Sequence, residues 1–116
     1  MLISDYGCFG AFVRRERKVK GISLRKMARK INVSPTYLSQ VELGKFSPPT
    51  EDKVLAIASI IECDPDYLLA KAGRIATDIS DIIKCHPIEF SALLRNVKHL
   101  ERDEITKLVL MLTTFL

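Results

Sequence analysis

Between Ser23 and Gly44 the sequence encodes two short helices with almost nothing between them, and few folds accommodate that arrangement. Ser23 can cap the first, in which Leu24, Met27, Ala28 and Ile31 recur at i, i+3, i+4 and i+7. One face is therefore core, and the opposite face carries Arg25, Lys26, Arg29 and Lys30. Asn32 suits the turn because, after glycine, asparagine best tolerates the left-handed conformation that ends a helix sharply. The second helix opens with Ser34 as cap and Pro35 at its first position, where a missing N–H costs nothing, and it stops at Gly44. Its core positions are Leu38 and Val41, while Thr36 and Gln40 lie one turn apart on the opposite face. An outer face of small hydrogen-bonding side chains with almost no charge is built to touch something polar.

The flanking residues repeat the helical pattern. Phe9, Phe12, Val13 and Val19 predict a helix that stops at Gly21. Lys45-Phe46-Ser47-Pro48-Pro49 reads as a loop, and Thr50 then caps a helix with Val54, Ile57, Ala58 and Ile61 on one face. Asp64-Pro65-Asp66 starts a fifth helix that runs through Tyr67, Leu68 and Leu69 to Gly73. The expectation is an all-α chain with five short helices over residues 6–73.

Three more amphipathic segments follow over residues 78–116: Ile79, Ile82 and Ile83; then, past His86-Pro87, Phe90, Leu93, Leu94 and Val97; then Ile105, Leu108, Val109 and Leu112. The last segment adds Leu110, Met111, Phe115 and Leu116, with Glu101, Asp103 and Glu104 at its positive N-terminal end. A piece of about 40 residues does not usually bury enough surface to fold alone. It must cover the first domain, another copy of itself or a different protein. Homodimerisation through Phe90, Leu93, Leu94, Val97, Ile105, Leu108, Val109, Leu112, Phe115 and Leu116 is the expectation.

With 116 residues and 47% apolar content, the chain falls among folded proteins with one core. The net charge of +4 is divided unevenly: residues 1–49 hold ten basic and three acidic side chains, a net +7, and the remainder holds eight and eleven, a net −3. A positive field concentrated on the half that carries the two-helix unit suits phosphate backbones. Cys8, Cys63 and Cys85 cannot all pair and form no CxxC spacing, so they are expected to be reduced and mostly buried, with no metal and no cofactor. No run of residues is apolar and long enough for a membrane span, the N-terminal residues do not follow signal-peptide order, and a cytoplasmic or nucleoid location, in a prokaryote or from a phage, is expected. His86 and His99 stand without a nucleophile, metal set or glycine-rich phosphate loop, which argues against an enzyme.

The ordered set Arg17, Gly21, Ser23, Met27-Ala28, Val33-Ser34, Tyr37-Leu38-Ser39, Glu42, Gly44-Lys45, Pro48-Pro49 and Ile57-Ala58 resembles the helix-turn-helix transcription regulators typified by the phage Cro and cI repressors, the XRE family. The resemblance implies a λ-repressor-like DNA-binding domain, with the helix-turn-helix at 24–43 and the recognition helix at 34–43. Pro35, Thr36 and Gln40 then face base edges in the major groove. Gln40 offers a bidentate pair to adenine, and Thr36 a hydroxyl and a methyl. Arg14, Arg25, Lys26, Ser34, Tyr37, Ser39 and Lys45 are the candidate phosphate contacts, with packing against the preceding helix an equal alternative for Tyr37. Arg17 and Glu42 match positions that form a structural ion pair. Where many relatives hold a phosphate with Gln at the start of the second helix, this chain has Leu24; Ser47, Pro48 and Pro49 offer no cation to a minor groove. The implied function is a homodimeric repressor on a palindromic operator of double-stranded DNA. The alternative is an antitoxin or partner-regulated repressor whose C-terminal helices bind a second protein such as a toxin.

Overall fold

The computed structural model describes residues 6–116, with side chains from Phe9 onward, and among the described residues it is all-helical. The helices are α1 Tyr6–Val19, α2 Leu24–Lys30, α3 Pro35–Glu42, α4 Glu51–Ile60, α5 Pro65–Lys71, α6 Thr77–Cys85, α7 Pro87–Val97 and α8 Arg102–Phe115. They divide into two compact units, residues 1–76 and 77–116.

In the first unit the helix ends are written by local chemistry. Ser23 Oγ accepts from Lys26 N at 3.1 Å, Ser34 Oγ from Tyr37 N at 3.0 Å, and Asp64 Oδ1 from Asp66 N at 2.8 Å and Tyr67 N at 3.2 Å. All five helices close in the same way, with a left-handed residue just past the cap: Gly21, Asn32, Gly44, Glu62 and Gly73, at φ between +58° and +79°. After each, the next N–H reaches back five residues, as from Val33 to Ala28 O at 2.9 Å and from Lys45 to Gln40 O at 2.9 Å. Thr50 departs from the expected capping role. It sits at the α4 N-cap without a side-chain bond to the backbone; its hydroxyl is turned to the Asp52 carboxylate, to which it donates, and that carboxylate takes the Lys53 backbone N–H that a cap would have accepted.

The apolar faces predicted from periodicity converge on one core of Phe9, Val13, Met27, Ala28, Ile31, Leu38, Val41, Val54, Ile57, Ala58, Ile61, Leu68, Leu69 and Ala72. Val19 is the exception: as the last residue of α1 it lies past the end of the core and is 74% exposed. Gly10 lets α1 lie directly on the end of α3. A Cβ there would meet Val41 O at 2.2 Å and Glu42 O at 2.7 Å. The cysteines are free where described, but burial fails as a description: Cys63 is half-buried and Cys85 exposed, while the Cys8 side chain lies outside the described set. Burial and the neighbouring Asp64 and Glu16 carboxylates push the Cys63 thiol above its ordinary pKa.

The second unit has no buried residue on α6, α7 or α8. Leu93, Leu94, Ile105, Val109, Leu112, Phe115 and Leu116 are exposed, and Phe90, Val97 and Leu108 are half-exposed. The α8 start is held by Glu101 N donating to Glu104 Oε1 at 2.9 Å. Among the described residues, no helix is long and apolar enough to cross a membrane, and no group of three or more His, Cys, Asp and Glu side chains is placed to hold a metal ion.

Candidate nucleic-acid interface

The inner side of α3 is fastened by three buried side chains, Leu38, Val41 and Glu42. The last of these is charged, so Leu38 and Val41 are not its only buried positions. Glu42 is held by Arg17 of α1, whose Nε donates to Glu42 Oε2 at 2.8 Å and Nη2 to Oε1 at 2.9 Å, while Nη1 donates to Ile22 O at 2.9 Å. Both side chains are over 90% buried. This is a forked guanidinium–carboxylate pair whose geometry fixes the α1–α3 angle as well as neutralising both charges. The hydrogen-bonded carboxylate keeps the guanidinium protonated above its ordinary value, against the opposing effect of burial.

The outer side of α3 is open. Pro35 and Thr36 are exposed and Gln40 is half-exposed, and among the described residues the side chains of Thr36 and Gln40 take part in no hydrogen bond. Their polar atoms are available to a ligand. Ser34 is exposed but its hydroxyl oxygen already caps α3. Tyr37 turns toward the following loop, its ring 6.0 Å from that of Phe46, and Val33, Pro49, Thr50 and Lys53 line the notch beside it.

Around this helix the candidate cations Arg14, Arg25, Lys26 and Lys45 are all exposed, and none has an ion-pair partner among the described residues. The structure brings Arg14 and Ser39 to one shallow cleft, over the Arg17–Glu42 pair and beside Leu24 and Leu43. Lys18 lines it too, one turn after Arg14 on α1, and sequence reasoning did not single it out although the i, i+4 spacing was visible. Arg25 and Lys26 open α2, and Lys45 follows the left-handed Gly44 at the far end of α3. The candidate phosphate contacts therefore flank α3 at several points instead of clustering at one.

Two supporting residues escaped the sequence reading. Lys53 of α4 donates its Nζ to Ile31 O at 2.9 Å, satisfying a carbonyl at the C-terminal end of α2 and so bracing the α2–α3 turn. Arg74, past the end of α5, donates to the carbonyls of Pro48 and Pro49 in the loop after α3. Both are contacts across more than twenty residues, which periodicity does not encode.

Comparison with known proteins agrees with this geometry. A helix-turn-helix family model matches residues 13–68, from within α1 to within α5. An uncharacterised HTH-type transcriptional regulator of Mycobacterium tuberculosis is 29% identical over 94 residues, covering 81% of this chain and 66% of the relative, so the match spans just under two thirds of that protein's length. The ImmF control region 10 kDa protein of Bacillus phage phi105 is 36% identical over 59 residues, 51% of this chain and 64% of the relative. The crystal structure of the clp gene regulator ClgR from Corynebacterium glutamicum shares the fold at a TM-score of 0.51 and 23% identity, covering 87% of this chain and 98% of that one. Over residues 13–68 the α1–α5 unit of this chain matches the helix-turn-helix family, and it is similar to regulators of the Cro and cI repressor type.

Proposed function

We propose that this protein is a transcriptional repressor that binds double-stranded DNA as a homodimer, inserting α3 of each copy into the major groove of one half of an inverted repeat. In this reading residues 6–73 form the DNA-binding domain and residues 78–116 the dimerisation segment. The observation that carries it is the two-sidedness of α3: one face locked by Leu38, Val41 and the Arg17–Glu42 pair, the other presenting Pro35 and the unused hydrogen-bonding groups of Thr36 and Gln40. Rigid placement with free polar atoms is what base readout requires, and the surrounding exposed cations supply the phosphate attraction that sets affinity.

Dimerisation is supported by the bare apolar faces of α6, α7 and α8. Joining two half-site contacts through them raises the effective concentration of the second, which compensates for Leu24 and for the absence of a cation at Ser47, Pro48 and Pro49.

The test is a selection of duplexes from a random-sequence pool with the full chain, followed by binding of the selected site by Gln40→Ala. Loss of a bidentate base contact costs about 1–3 kcal/mol and relaxes the preference at one position of each half-site. Lys45→Ala, by contrast, weakens binding about equally on all sequences and lowers the salt slope by about one. A Gln40→Ala protein that discriminates bases as well as wild type overturns the assignment of α3. A monomer by solution mass, on and off DNA, overturns the dimer.

A further inference from the structure

We infer that Arg74 is a positioning residue that sets which half-site spacing the protein accepts, an inference that rests on the dimeric reading above. The loop between α3 and α4 contains Pro48 and Pro49, both buried, whose nitrogens carry no hydrogen and so leave this stretch with acceptors only. Arg74 supplies the donors. Its Nη2 reaches Pro48 O at 2.9 Å and its Nη1 reaches Pro49 O, so one planar guanidinium spans two successive carbonyls.

The two ends of this bridge matter more than the bridge itself. At one end the loop is continuous with α3: Lys45 N and Phe46 N both donate to Gln40 O, at 2.9 and 3.3 Å, and the Phe46 ring lies 6.0 Å from that of Tyr37. At the other end Arg74 is where the chain leaves α5. Gly73 turns it at φ +74°, and Arg74 N donates to Leu69 O at 2.9 Å. Only Ile75 and Ala76 remain before α6 begins at Thr77, and Ala76 packs against the core. The point from which residues 77–116 depart is thereby tied, through one side chain and a short loop, to the residues of α3 that face the ligand.

In a dimer held by residues 77–116, the separation of the two α3 helices depends on that departure point. Without the Arg74 fork the exit segment keeps the backbone bond from Arg74 N to Leu69 O and the packing of Ala76 but loses its tie to the Pro48 and Pro49 carbonyls of the loop after α3, and the accepted spacing broadens.

The experiment measures binding of the full chain to the selected inverted repeat, to versions with one base pair added to or removed from the centre, and to a single half-site. One base pair shifts the half-sites by about 3.4 Å and by roughly a tenth of a turn, so wild type is expected to lose on the order of tenfold or more on either altered spacing. Arg74→Ala is expected to reduce that loss to within about threefold, each affinity being taken relative to the same protein's affinity for the single half-site, with the dimer mass unchanged. Arg74→Lys, with one donor group in place of the fork, falls between. An Arg74→Ala protein that keeps the wild-type spacing penalty overturns the inference. If Arg74→Ala does not fold, as read by circular dichroism, Arg74→Lys carries the same comparison, and its full retention of the penalty is equally fatal. A wild-type protein that is a monomer by mass overturns the dimeric reading, and the mass measurement distinguishes that failure from failure of Arg74.

Discussion

Replacing Gly10 by alanine sets two well-characterised effects against each other. In a helix interior alanine is better than glycine by about 0.8–1.0 kcal/mol, so from sequence alone Gly10→Ala in α1 should stabilise. The structure reverses the sign. The new Cβ would lie 2.2 Å from Val41 O, 2.7 Å from Glu42 O and 2.9 Å from Glu42 C, whereas ordinary contact begins at 3.4 Å. The largest shortfall is 1.2 Å, and the opposing atoms are backbone. Relief requires α1 to lift from α3 by about that amount, although Phe9 and Val13 on the same side of α1 are fully buried and Arg17 is bonded to Glu42 at 2.8 Å further along. Overpacking of this kind costs typically 1–3 kcal/mol and occasionally more, and with three anchors resisting the shift the upper end applies. After subtracting the propensity gain, the net loss is about 2 kcal/mol, or roughly 8–16 °C in melting temperature for a domain of this size. Thermal unfolding followed by circular dichroism measures it, with Ala11→Gly, at an exposed position of the same helix, reporting the propensity effect alone. A Gly10→Ala protein that melts at or above wild type refutes the claimed closeness of α1 and α3.

The Arg17–Glu42 pair should behave as a unit. Glu42→Ala or Arg17→Ala leaves its partner's charge buried and costs about 3–5 kcal/mol, whereas Arg17→Met combined with Glu42→Leu costs far less than the sum of the two single losses. Urea unfolding of the four proteins decides, and additive losses would show that the pair is not coupled. At the surface, the Lys20 ammonium bonds the Glu62 carboxylate at 2.5 Å and holds its pKa below the ordinary 4.5, first by the hydrogen bond and then by charge. Because the folded value is the lower one, this contribution is complete above pH 4.5 and disappears as the pH falls through the depressed value. Glu62→Gln should therefore melt below wild type at neutral pH and converge with it in acid. A gap that persists unchanged into strong acid counts against the bridge.

What the sequence encoded legibly was whatever is decided within two turns of chain. The serine and aspartate caps, the proline starts, the left-handed Asn32 and the spacing of Leu24, Met27, Ala28 and Ile31 all act over two to seven residues, and the helices follow them. Thr50 missed because the Asp52 carboxylate accepts the Lys53 N–H that the cap would have taken and turns the Thr50 hydroxyl toward itself. Glu62 is harder still: a glutamate in the left-handed region carries no sequence signal, and it is held there by the corner and by Lys20, 42 residues away. In the candidate site, the outward polar face of α3 was readable from helical phase. The residues that hold that face in position were less so: Lys53, Arg74 and Gly10 act on partners more than twenty residues away, Lys53 and Arg74 are of types ordinary for solvent-facing positions, and a glycine within a helix does not say which element approaches it. Val19 shows the converse error, since periodicity continues past the point where the core ends.

The shared way in which α1 to α5 end has a kinetic meaning. Each corner closes through bonds between residues three and five apart, so the chain gives up little loop entropy before its helices can meet. Helical domains with contacts this local fold in microseconds to milliseconds. After Gly73 no described residue adopts a left-handed conformation: α6 passes into α7 at His86-Pro87, and α7 gives way to α8 through Lys98 in a right-handed one. The first unit can thus take its form as fast as a single chain allows, at a rate indifferent to how many copies are present. The second carries no corners of that kind and no buried side chain, and so in the proposed dimer its assembly is set by the rate at which two copies meet.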